Sequence, residues 1–194
     1  FKVKGSSTLE STGKKNTLVY NGKSKVELGS SLDLKVNGEN NIGIVNATDN
    51  AARTLETEAP ITGTGEGAIG IYSSGLGDLT NTGNITLTAK KVKGIIADGT
   101  TNPNAKIHNN GGTITVTGDE AAGVIAKDGG IVNISTGATS KQTTVTVNGE
   151  SALGLYSTNN GVINAGNATI TSAGGAVNVY SDGGDIHLSN NGKK

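Results

Sequence analysis

The residues in this chain that could do chemistry are few and scattered. Asp98, Asp128 and Asp182 each stand directly before a glycine, and Asp182 and Asp185 flank Gly183-Gly184. Paired carboxylates with a nearby cation are what acid–base cleavage of a polysaccharide or a calcium site would need. An Asp before Gly is equally what a tight turn selects, and the turn accounts for all of these positions. His108 and His187 lie in alternating stretches and are expected to face outward without companions. No Ser-His-Asp arrangement can be assembled, Gly63 to Gly70 lacks the Lys and the following helix of a phosphate loop, and no Gly-Gly-x-Gly-x-Asp unit recurs. With no Cys, thiol chemistry and zinc-finger sites are excluded. The chain reads as a protein without catalytic activity, metal or cofactor. The best candidate binding group surrounds the only arginine: Arg53 offers a planar donor fork for carboxylates or sugar hydroxyls, with Glu56 and Glu58 as acceptors.

These residues must be positioned by repeats. The clearest unit is GESALGLY, Gly149 to Tyr156, and it returns as GEGAIGIY from Gly65, GENNIGIV from Gly38, GDEAAGVI from Gly118 and AKKVKGII from Ala89. Looser copies are GKKNTLVY from Gly13 and AGGAVNVY from Ala173. The sixth residue of each copy falls at positions 18, 43, 70, 94, 123, 154 and 178, giving intervals of 25, 27, 24, 29, 31 and 24 residues. Such periods signify a repeat architecture. Stretches such as Ile85-Thr86-Leu87-Thr88 and Thr144-Val145-Thr146-Val147 alternate with period two, so the element is a strand with one face inward. A third piece, as in Leu79-Thr80-Asn81 and Ile107-His108-Asn109, makes three short strands per coil. Its Asn residues are expected to serve the adjacent turns rather than an internal ladder. Within the eight-residue unit a bend at the Gly column, permitted by glycine's wide φ range, should turn Ile44, Ile71, Ile95, Val124 and Leu155 inward.

The chain has 194 residues, 31 Gly, one Phe, no Trp and 33% hydrophobic residues, so burial must come from small aliphatic side chains stacked in a narrow interior. The expected fold is all-β, a right-handed parallel β-helix of about seven coils, roughly 35 Å long at one strand spacing per coil. Residues 1–194 form a single segment of a longer protein, with one insertion at 46–60 in which Asp49 or Asn50 would cap a short helical turn through Arg53, Leu55 and Glu56. The 16 basic and 16 acidic residues cancel, so no field draws nucleic acid. No apolar run reaches the roughly 18 residues of a membrane span. The outward pairs Thr62/Thr64, Thr86/Thr88, Thr115/Thr117, Thr144/Thr146 and Thr169/Thr171 are expected in register. They suit an exposed strand face and, as an alternative, an ice-binding array.

GEGAIGIYSSGLGDLTNTGNITLTA, Gly65 to Ala89, resembles the passenger regions of large bacterial autotransporter adhesins, the fusobacterial outer-membrane adhesins in particular. That resemblance implies a β-helical passenger held at the bacterial surface by an outer-membrane β-barrel. The function it implies is adhesion to host-cell or bacterial glycans or proteins. A purely structural stalk, then a polysaccharide-processing enzyme, are the alternatives.

Overall fold

The structure, a computed structural model, describes residues 2–3, 6–137 and 139–189, with side chains from residue 6 onward, and holds no helix among them. Each coil contributes three strands in fixed order. The asparagine strands are Lys2–Val3, Val26–Leu28, Leu55–Thr57, Leu79–Asn81, Lys106–Asn109, Ile131–Ile134, Val162–Ala165 and Asp185–Leu188. The threonine strands are Ser7–Ser11, Leu32–Val36, Ile61–Gly63, Ile85–Thr88, Thr113–Thr117, Thr143–Asn148 and Ala168–Ala173. The glycine strands, which number coils 1 to 7, are Thr17–Asn21, Ile42–Asn46, Ile69–Ser73, Lys93–Asp98, Ala122–Lys127, Leu153–Thr158 and Val177–Asp182. Every strand pairs in parallel with its counterparts one coil away, giving sheets of eight, seven and seven strands around a β-solenoid of about seven turns.

Alternation fills the interior. Leu34, Ile61, Leu87, Ile114, Val116, Val145 and Val147 point in from the threonine sheet and are fully buried. Ile44, Ile71, Ile95, Val124 and Leu155 are buried too, so the turn inward at the Gly column is real. Its cause differs from the expected one. These glycines do not adopt the left-handed backbone region. They are needed because a Cβ on Gly94 would lie 2.4 Å from the Gly123 carbonyl oxygen and 2.6 Å from Ile114 Cγ2. The left-handed position is instead the third residue of the unit: Lys15, Asn40, Lys91, Glu120 and Ser151 have φ between 55° and 60°, with Gly67 and Gly175 completing the column. Its backbone N–H groups carry the ladder around the corner, as in Asn40 to Glu66 O (2.8 Å) and Lys91 to Asp119 O (2.9 Å).

Buried asparagines serve both the turn and a ladder. Asn81 Nδ2 donates to Gly83 O (3.0 Å) and to Asn109 Oδ1 (2.6 Å), and Asn109 Nδ2 donates to Gly111 O (3.1 Å) and Thr143 Oγ1 (3.1 Å). A second buried ladder runs Asn21 to Asn46 to Ser73. Among the described residues no buried side-chain polar atom lacks a partner, as a narrow interior demands.

Two expectations are corrected. Residues 46–60 contain no helical turn: Asn46 ends a glycine strand and Leu55–Thr57 is the third coil's own asparagine strand. Between them Asn50 Oδ1 accepts from Ala52 N (2.9 Å) and Asn50 O from Arg53 N (3.0 Å), which closes a turn rather than starting a helix. In the threonine sheet, Thr115 pairs with Thr146 and Thr113 with Thr144. The expected match of Thr115/Thr117 with Thr144/Thr146 is therefore slipped by two residues. Such a slip keeps every side chain on its own face, which is why alternation alone could not resolve it.

Candidate functional site

Arg53 lies exposed in its turn, Glu56 on the outer face of the asparagine sheet, and Glu58 exposed just beyond that strand. In register Glu56 has Glu27 on one side and Thr80 on the other. Among the described residues no ion pair or side-chain hydrogen bond joins Arg53 to either glutamate. On the same outer face His108 does have companions: its Nε2 is 3.2 Å from Asp78 Oδ2 and its Nδ1 3.4 Å from Asn133 Nδ2. Asn164 extends this line by donating to Asn133 Oδ1 at 2.8 Å.

The outer face of the glycine sheet is more distinctive. Because the strand bends at its Gly, the fifth and eighth residues of each unit both point outward. The eighth-residue column runs Tyr20, Val45, Tyr72, Ile96, Ile125, Tyr156, Tyr180, and beside it run Ile42, Ile69, Lys93, Ala122, Leu153, Val177. Ile96, Ala122 and Ile125 form an apolar cluster separate from the core, flanked by Ile69 and Tyr72 on coil 3 and by Leu153 and Tyr156 on coil 6. Ile96, Ala122 and Ile125 are 6%, 4% and 7% exposed, packed down by these flanking side chains into an aliphatic layer between two tyrosine-bearing coils. Tyr156 and Tyr180 lie with ring centroids 5.6 Å apart. Lys93 stands half-buried in the middle, its ammonium turned back to the Lys91 carbonyl oxygen. Burial and the neighbouring Lys91 lower its pKa against the opposing pull of Glu120.

The outgoing edge of this face carries a polar cluster that spans four coils. Asp98 accepts from Tyr72 Oη (2.7 Å), Lys127 Nζ (2.7 Å), Thr100 N (2.9 Å) and Thr100 Oγ1 (2.6 Å). Asp128 accepts from Lys127 Nζ (3.3 Å) and Asn159 Nδ2 (3.2 Å), and its Oδ2 lies 3.0 Å from Thr100 Oγ1, whose single proton serves the shorter bond to Asp98. Burial alone would raise the Asp98 pKa, but the bonds from Lys127, Thr100 and Tyr72 outweigh it and hold the group at about 2. Burial, then the bond to Asp98, push the Tyr72 phenol well up. A carboxylate so placed stays ionised at neutral pH with its acceptor positions occupied, which suits it to orienting Tyr72 and Lys127 and not to donating a proton.

Sequence reasoning assigned Asp98 and Asp128 to turns, which is half of their role. The cluster's other members come from coils 3, 5 and 6, and only the register brings them together. The signal was in the columns: Asp98 and Lys127 hold the same place two residues after the eighth residue of successive units, and they pair directly.

Three parallel sheets wound into a solenoid, with a flat outward face and a polar rim, define a pectate lyase-like domain. The chain belongs to the family of the third pectate lyase-like domain of BigA, whose model matches residues 1–163. BigA is a bacterial surface protein, and this chain is a passenger domain of that kind. No curated protein and no solved structure matches the chain.

Proposed function

We propose that this domain is an adhesive passenger segment, displayed at the bacterial outer surface from an outer-membrane β-barrel, that binds host-cell or bacterial glycans or proteins. The observation that supports this reading is the apolar layer of Ile96, Ile125 and Ala122 outside the core, with the half-buried Tyr72 and Tyr156 on either side of it. Apolar and aromatic groups surrounded by a polar rim are the composition of recognition surfaces, and here they sit outside a core already complete without them. Arg53, Glu56 and Glu58 form a second candidate patch on a different face.

The test is adhesion of beads carrying the chain to epithelial cells, to bacteria and to a glycan array, compared with Ile125→Lys and with Arg53→Ser plus Glu56→Ser. Loss with Ile125→Lys at an unchanged melting temperature places recognition on the glycine sheet, and loss with the double variant places it at Arg53. No adhesion by the native chain would leave a structural stalk, the reading favoured by the continuous internal ladders.

A further inference from the structure

We infer that the corner leading into the glycine sheet at coils 2 to 4 holds a sugar-binding site, and that the sugar it takes carries one carboxylate. The inference rests on reading the domain as an adhesin for glycans, and it names the class of glycan.

The site begins with a missing side chain. In coils 1 to 6 the third residue of the unit runs Lys15, Asn40, Gly67, Lys91, Glu120, Ser151, and only Gly67 has none. The gap left between Asn40 and Lys91 is a cavity of about 420 Å³, lined also by Glu39, Glu66, Ile69 and Lys93. That is within the range of small-ligand pockets. It gives room for one sugar residue and part of a second, and too little for a run of them.

Along the solenoid axis the lining changes character. Coils 2 and 3 supply the acceptors Glu39 and Glu66 and the amide of Asn40, which donates to Glu39 Oε1 at 3.3 Å. Coil 4 supplies the ammonium groups of Lys91 and Lys93. Ile69, paired between Ile42 and Lys93 in its column, adds an aliphatic wall. Hydroxyl acceptors therefore lie at one end and cations at the other, roughly 10 Å apart at two strand spacings, with an apolar surface for a ring face between them.

The pairs already present leave capacity for a ligand. Lys14 holds Glu39 at 2.6 Å, but Lys91 stands 3.7 Å from Glu66, beyond hydrogen-bond reach. A carboxylate has about four acceptor positions and an ammonium three donors. Lys93 is bonded to the neutral Lys91 carbonyl, and Glu120 attracts it without forming an ion pair among the described residues. A ligand carboxylate would give this half-buried ammonium a charge-assisted bond. The balance of charge decides which anion fits. Two glutamates and two lysines leave the lining neutral, so a doubly charged phosphate would be repelled by one end as it is drawn to the other. A sugar with a single carboxylate and several hydroxyls sets each group against its complement.

Calorimetric titration of the full chain with the methyl glycosides of N-acetylneuraminic acid, glucuronic acid and galactose tests this. The expected result is saturable binding of at least one acidic sugar, with the neutral galactoside weaker by roughly tenfold. Binding of the sialoside alone would point to glycan termini, and of the glucuronide alone to uronic acid residues. Gly67→Asn should abolish binding by filling the gap, and Lys93→Met should weaken it by about tenfold. Thr115→Lys on the threonine face should leave it unchanged, and all three variants should keep the native melting temperature. The fold tolerates the first two exchanges, since Asn40 already stands at positive φ in the column of Gly67, and Ile69 and Ala122 in that of Lys93. A Cβ at Gly67 meets the movable end of the exposed Asn40 side chain, Oδ1 at 2.3 Å. Equal affinity for the galactoside, no binding of either acidic sugar, or binding that Gly67→Asn or Lys93→Met spares overturns the inference. If no acidic sugar binds while cells are held equally by the native chain and by Gly67→Asn, this site fails and the adhesive reading stands. If an acidic sugar binds but beads carrying the chain adhere to no cell, the site stands and the adhesive reading fails.

Discussion

Asp98 shows how much chemistry one side chain gains from its register. Its folded pKa of about 2 lies below the ordinary aspartate value of 3.8, so its ionisation stabilises the fold above about pH 4, and that contribution disappears as the pH falls through about 2. A shift of this size corresponds to about 2 kcal/mol. Asp98→Asn should therefore lower the melting temperature at pH 7, and the gap to the native chain should close by about pH 2. A gap that stays constant with pH would show that the network and not the charge is at work. At this scale the sequence was only partly legible. The Gly column could be seen, but its reason, contact with Ile114 Cγ2 and the next coil's backbone, needed the third dimension. Asn133 and Asn164 sit one place earlier on their strands than Asn81 and Asn109 and so face outward, a difference that only the register shows.

Strands were the most legible level, because a period of two is a direct statement of which side faces in. Val145 is fully buried and Thr146 is outward, as the alternation implied. Val145→Asp should unfold at least the neighbouring coils, since burying a charge among aliphatics costs several kcal/mol against a total stability of roughly 5 to 15. Thr146→Asp should leave the melting curve nearly unchanged, and equal damage from both would contradict the register. The stretch from Asn46 to Pro60 misled because Leu55-Glu56-Thr57 is too short to show alternation, and an Asn before two alanines signals a helix start and a turn equally well. The candidate site was less readable than the strands. Tyr72 and Tyr156 each close a repeat unit in the sequence, but their packing against Ile96 and Ile125 depends on the bend at glycine.

Across the whole molecule, order is held by contacts between successive coils, and among the described residues the threonine and glycine strands of coil 7 pair on one side only. Val177–Asp182 is exposed along its length, and Leu188 is 61% exposed. Amide exchange should be fastest in Ala168–Ala173 and Val177–Asp182 and slowest in coils 3 to 5, with the order following distance from the end. Uniform protection would mean that something caps this edge. The same arrangement sets the response to a pull along the axis. The backbone hydrogen bonds joining the coils run parallel to that direction, so tension loads one coil junction at a time and peels the end coil first. Each released coil of about 27 residues would pay out roughly 90 Å of slack, in place of the 4.8 Å it spanned when wound. Serving as the proposed adhesive segment, such a solenoid would lengthen in steps at nearly constant force under flow and let an attached cell out rather than tear it off.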